Sequence, residues 1–177
     1  MSEFLRFVSH QIEDFAMQVT FNPVEGTGTV VYNLSLVRVE DLEQTISVFR
    51  ATCEAGVSPS SLIRILYAGE ELDGFVIPQN FCGILTLCST TLDGLLLQRG
   101  IPSNPIGGGV IEVAENIPKR FTHLIKYEYT TIDPLQVLVS QEITSVHQVM
   151  KHGNGSILGN IRECHMEAED DVEEVLD

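Results

Sequence analysis

Positive charge is scarce in this chain. Lys and Arg number 10 against 25 Asp and Glu, a formal net charge of −15. Such a surface repels phosphate backbones, which argues against direct DNA or RNA binding by this chain alone. Long apolar runs are missing too. None reaches the roughly 18 residues of a membrane span, and Asp93 and Arg99 flank the longest. The first residues carry Glu3 and Arg6 and lack a signal-peptide core, so a soluble, cytoplasmic location is expected. No P-loop, no Rossmann glycine fingerprint and no nucleophile elbow occurs. The four cysteines, Cys53, Cys82, Cys88 and Cys164, include no pair with the two-residue gap of a zinc knuckle or redox motif. His147 and His152 lie five apart, which does not put two metal ligands on one helical face. No metal, no cofactor and no catalytic residue is expected, and an enzyme reading is weak.

What is present suits a folded body. Hydrophobic residues make up 44% of 177, enough for one domain with a sizeable core. Residues 1–165 are expected to form that domain. Seven acidic side chains crowd Glu167 to Asp177, so 166–177 reads as an acidic, disordered tail.

Apolar spacing predicts a helix over 3–15, then a turn at Asn22–Gly26 and a strand over 29–37. Residues 40–55 give the clearest helix, with Leu42, Ile46, Phe49 and Cys53 on one face and Gly56 after its end. Strands follow at 62–67 and 82–89, with a short extended piece at 74–78 between them. Cys82 and Cys88 share a face of the second of these strands. The cysteines read as small buried hydrophobes, as thiols lining a pocket, or as a metal or redox site. Thr90-Thr-Leu-Asp93 resembles a capping box, with Asp93 in place of Glu, opening a helix to Arg99. Residues 110–113 and 121–129 pair as a hairpin across Glu115-Asn116. Asp133-Pro134 starts a helix, Thr144 opens another that Gly153 stops, and 156–163 is a last strand.

The fold class is α+β, a mixed or antiparallel sheet with helices mainly on one face. The order strand, helix, strand, strand, helix, strand allows a split βαβ, ferredoxin-like core. An open mixed sheet with helices on both faces is the alternative.

From Gly100 to Arg162 the chain alternates apolar segments with turn and hydroxyl residues, which suits a wall receiving a small polar ligand. Gly107, Gly108 and Gly109 read either as a bulge or close backbone approach, or as ligand-facing backbone. Thr90, Thr131 and Thr144 sit at predicted helix starts, where capping explains each and converging N–H groups would favour an anion. Arg162 lies in the last strand beside Glu163. It reads as an ion pair at the sheet edge or as a bidentate clamp for a ligand carboxylate.

These segments carry a resemblance. Gly26-Thr-Gly-Thr-Val-Val-Tyr-Asn-Leu-Ser, Gly56-Val-Ser-Pro-Ser, Cys88-Ser-Thr-Thr-Leu-Asp-Gly-Leu-Leu-Leu, Gly100-Ile-Pro-Ser-Asn-Pro, Thr130-Thr-Ile-Asp-Pro-Leu, Thr144-Ser-Val, Gly153-Asn-Gly-Ser-Ile-Leu and Arg162-Glu occur in that order over roughly residues 20–165. The chain resembles the regulatory domain of NrpR, the nitrogen-responsive transcriptional repressor of methanogenic and related archaea. The resemblance implies a domain without catalysis that binds 2-oxoglutarate, which accumulates when ammonium is short and weakens the repressor's hold on DNA. It implies dimers or larger assemblies. Residues 1–20 are too few for a winged helix-turn-helix, so an excised effector domain or a standalone partner of a DNA-binding homologue is expected. A dianionic ligand in an acidic protein needs concentrated donors. Arg162 is expected as the clamp, with Ser89, Thr90, Asn104, Thr130, Thr131 and the Gly107, Gly108 and Gly109 backbone as neutral donors. Arg99, Arg120 and Lys151 are the next cations to consider. The alternatives are a module for another small carboxylate or amino acid, a cysteine-dependent enzyme using Cys82 or Cys88, and a scaffold for a DNA-binding partner.

Overall fold

The computed structural model describes residues 6–58 and 60–176. The chain divides into two compact units, Val30–Ser89 and Met1–Thr29 with Thr90–Asp177.

In the Val30–Ser89 unit, β1 is Tyr32–Arg38, α2 is Leu42–Glu54, β2 is Ile63–Leu66 and β5 is Phe81–Leu87; α1 precedes them in the other unit at Val8–Ala16. A short hairpin of β3, Glu71–Leu72, and β4, Phe75–Val76, comes before β5. The sheet order is β1-β5-β2, and β5 runs antiparallel to both neighbours. So β1 and β2 run the same way, joined by α2, with β5 inserted between them. This is the split βαβ arrangement predicted from the element order. Leu66, Ile77 and Leu85 form its core, with Tyr32, Leu34, Leu72 and Phe81 against them. Gly83 keeps β5 close to that core, because a Cβ there would lie 2.7 Å from Ile77 Cδ1. Leu42, Ile46, Phe49 and Cys53 are all half-buried on α2, as their spacing requires.

The ferredoxin-like sheet goes no further. The next strand, β6 at Asn104–Ala114, joins a second sheet of order β7-β6-β8, with β7 at Ile117–Lys126 and β8 at Gly155–Glu163. Local pairing explains this. Glu115 and Asn116 take φ of 55° and 60°, the two left-handed residues of a tight hairpin turn, and Ala114 faces Ile117 across it. The long β6 is then occupied on both edges. Both three-stranded sheets are antiparallel, so the α+β class stands.

The same unit holds α3 at Thr90–Gln98, α4 at Pro134–Ser140, α5 at Val146–His152 and α6 at Glu169–Leu176. Asp133 caps α4 as predicted, its carboxylate accepting from Leu135 N at 2.9 Å. Gly153 ends α5 in the left-handed conformation. The predicted helix over 3–15 is found from Val8 to Ala16, residues 3–5 being outside the described set. The acidic segment expected to be disordered forms α6. Glu169, Asp170 and Asp171 occupy its first turn, where they suit the helix dipole, and Val172 and Val175 are half-buried on it.

Candidate functional site

Two polar places lie in the unit built on β6, β7 and β8. The first begins on β8. Alternate residues of a strand share a face, so Asn160 and Arg162 project together. Arg162 is held by Asp93 of α3, Nε donating to Oδ1 at 2.6 Å and Nη2 to Oδ2 at 2.7 Å. Ser103 Oγ donates to the same Oδ1 at 2.7 Å. Asp93 is 4% exposed and the Arg162 side chain 17%. Removing one partner of a buried pair like this costs roughly 3–5 kcal/mol, because the other charge is stranded. Next to it, Asn160 Oδ1 accepts from the Tyr127 hydroxyl at 3.1 Å, and Tyr127 is buried. Thr90 and Asp93 stand three apart on α3 and so share a face, with Thr90 and Thr91 both buried at the helix start.

This bears on the reading of two residues. Asp93 does not complete a capping box; its carboxylate is spent on Arg162 and Ser103. Arg162 is an ion pair on an edge strand of its sheet, as one of its two readings had it, and its partner is Asp93. The signals for Asp93, Ser103, Tyr127 and Asn160 were faint. Only the alternate polar residues Asn160 and Arg162 in β8 mark a polar face in sequence.

The second place is a groove of about 290 Å³ lined by Ser9, His10 and Glu13 of α1, Asn104, Pro105 and Ile106 of β6, with Lys126 and Glu128. Thr130 lies beside it, its hydroxyl donating to Lys126 O at 2.6 Å and its carbonyl accepting from Val8 N at 2.7 Å.

The sequence-predicted site residues thus separate. Arg162 and Thr90 belong to the first place, and Gly108 pairs with Asn160 beside it. Asn104 and Thr130 belong to the groove. Ser89 is exposed at the end of the other unit. Thr131 is exposed and lies two residues before the cap of α4, so it starts no helix; Thr144 likewise lies ahead of Ser145, the residue before α5. Gly107, Gly108 and Gly109 do not precede a strand but lie buried within β6, paired on both sides. A Cβ at Gly107 would meet Ile125 O at 2.5 Å, and one at Gly108 would meet Leu135 Cδ2 at 2.9 Å. Close approach of neighbouring strand and helix is what these glycines permit.

The alternative cations are surface residues. Arg99 sits 3.8 Å from Glu174 and Arg120 2.8 Å from Glu112, their side chains 55% and 73% exposed. Lys151 is exposed in the last turn of α5. Cys82 is 1% exposed. Cys53 leans on Ser60 O at 3.6 Å. Among the described residues no cluster of three His, Cys, Asp or Glu could hold a metal ion.

Comparison with known proteins is decisive on family. The model of NrpR regulatory domains NRD1 and 2 matches residues 5–177. The chain belongs to the NrpR regulatory-domain family. It is 38% identical over 162 residues to a global nitrogen regulator NrpRI of Methanosarcina mazei, a match covering 92% of this chain and 50% of that protein. It is 28% identical over 150 residues to the global nitrogen regulator NrpR of Methanocaldococcus jannaschii, covering 85% of this chain and 26% of the relative. The chain therefore spans half or less of these relatives, which are named as regulators and not as enzymes. The fold is shared with the crystal structure of a nitrogen repressor-like protein from Methanococcus jannaschii, at a TM-score of 0.75 and 24% identity, covering 98% of this chain and 70% of that one. Among the described residues no helix of this NrpR regulatory domain is long and apolar enough to cross a membrane.

Proposed function

We propose that this NrpR regulatory domain senses 2-oxoglutarate in a nitrogen-assimilation repressor and passes the signal to a separate helix-turn-helix domain or partner that contacts DNA. The observation that carries the site is Arg162, whose side chain is 17% exposed where those of Arg99 and Arg120 are 55% and 73% exposed. Thr90 at the start of α3 shares a helix face with its partner Asp93, and a helix start favours an anion. The −15 charge supports leaving DNA contact to another domain. Regulation then requires two conformations with different affinity for the effector. We place the protein in the cytoplasm as a homodimer.

Isothermal titration with 2-oxoglutarate tests the reading. Parent protein should release heat and saturate. Arg162→Ala should bind more than tenfold more weakly, and Arg162→Lys should also lose affinity because an ammonium lacks the planar fork. Equal affinity in all three proteins would remove Arg162 from the site. The domain alone should give no sequence-specific shift of operator DNA at moderate salt, and a tight shift would contradict the division of labour. Sedimentation across a wide concentration range should find a dimer; a persistent monomer near the chain mass of 19.6 kDa would contradict it.

A second reading, an amino acid effector, is favoured by the groove. Lys126 and His10 line it and would suit a carboxylate, while Glu13 and Glu128 would suit an ammonium. Titration with glutamate and glutamine separates the two readings, because Lys126→Ala should weaken an amino acid and leave 2-oxoglutarate untouched.

A further inference from the structure

We propose that Asp93 is the positioning residue of the effector site, holding Arg162 in the orientation from which it meets the ligand carboxylate. The inference rests on the reading that Arg162 binds the effector, and it names a residue that reading does not need.

Geometry supports a fixed restraint. Both carboxylate oxygens of Asp93 are engaged by the Nε and Nη2 edge of one guanidinium, at 2.6 and 2.7 Å. Such a two-point contact defines the plane and direction of the fork, which a single contact does not. The carboxylate is itself held by Ser103 at 2.7 Å, and Asp93 is 4% exposed. Asp93 stands on a helix and Arg162 on a strand, both rigid elements.

A ligand carboxylate could in principle evict Asp93 and take its place. That would strand a buried carboxylate beside Ser103, so Asp93 stays and the ligand joins it. The consequence runs against simple charge reasoning. Removing a carboxylate beside an arginine should strengthen anion binding by Coulomb attraction alone. If Asp93 positions the fork, removing it weakens binding instead.

Asp93→Asn in the full chain, titrated with 2-oxoglutarate, decides between these. The expected result is binding at least tenfold weaker than parent. Unchanged or tighter binding overturns the proposal. Ser103→Ala keeps every charge and serves if Asp93→Asn does not fold; it should weaken binding about threefold, the scale of one lost hydrogen bond. No change in Ser103→Ala would also count against the restraint. A nitrogen–proton spectrum gives a readout that does not need ligand. The Arg162 Nε–H resonance, assigned by its loss in Arg162→Lys, should be protected from exchange in parent and exposed in Asp93→Asn. A rapidly exchanging resonance in parent overturns the proposal. If parent protein gives no heat with 2-oxoglutarate while the resonance is protected, the effector reading has failed and the Asp93–Arg162 restraint has not.

Discussion

Asn116 and Gly153 close the end of the β7-β6-β8 sheet together. The Asn116 N–H donates to Gly153 O at 2.8 Å, and the Asn116 carboxamide lies where a Cβ on Gly153 would come within 2.8 Å of Oδ1. Gly153 has φ of 69° and ends α5, so helix stop and hairpin turn depend on one missing side chain. Gly153→Ala should destabilise the protein by about 1–2 kcal/mol, from the left-handed backbone and the contact together. Urea unfolding measures it. A midpoint equal to that of the parent would mean the carboxamide simply swings away.

Gly94 offers a test in which local preference and packing oppose. Alanine in a helix is favoured over glycine by about 1 kcal/mol. At Gly94 of α3, though, a Cβ would meet Val19 Cγ2 at 2.6 Å and the backbone oxygen of Ala16 at 2.7 Å. A backbone atom cannot rotate aside, so Gly94→Ala should lower stability by roughly 1–3 kcal/mol despite the better helix former. A rise in the urea midpoint would show that α1 and α3 separate readily.

The Asp93–Arg162 pair should behave as a coupled unit. Arg162→Ala leaves a buried carboxylate, and Asp93→Ala leaves a mostly buried guanidinium, each costing roughly 3–5 kcal/mol. The double change strands neither charge, so its cost should fall well below the sum of the singles. Additive costs in a double-mutant cycle would show that the two groups do not depend on one another.

Tyr32 supplies a pH signature. Its hydroxyl donates to Asp73 Oδ2 at 2.6 Å, and that bond, then burial, then the negative charge of Asp73, raise its pKa above the ordinary 10.0. The neutral phenol is therefore the form that the fold favours. Its contribution is present below the unfolded pKa, about 10, and is lost as pH rises through the higher folded value. Phenolate absorbance of parent minus Tyr32→Phe should give a midpoint above that of free tyrosine. A midpoint at or below it would mean that Tyr32 and Asp73 are apart in solution.

Local chemistry made much of the fold legible. Asp133-Pro134 announced α4, Gly153 the end of α5, and Glu115-Asn116 the hairpin, because caps and turns are decided by a few adjacent residues. The apolar spacing of Leu42, Ile46, Phe49 and Cys53 did the same for α2, and the ordered segments carried the family resemblance. Arg162 could be singled out because cations are so few. What sequence could not supply was the partner of each group. Asp93 looked like a helix-start residue because capping needs neighbours only four residues away, whereas its real partner lies 69 positions along the chain. Gly107–Gly109 looked open to a ligand because bare backbone in a sequence carries no record of the strands on either side. The division into two sheets was hidden for the same reason. Element order and periodicity are properties of the chain, while strand partnership and charge neutralisation arise only where distant segments meet.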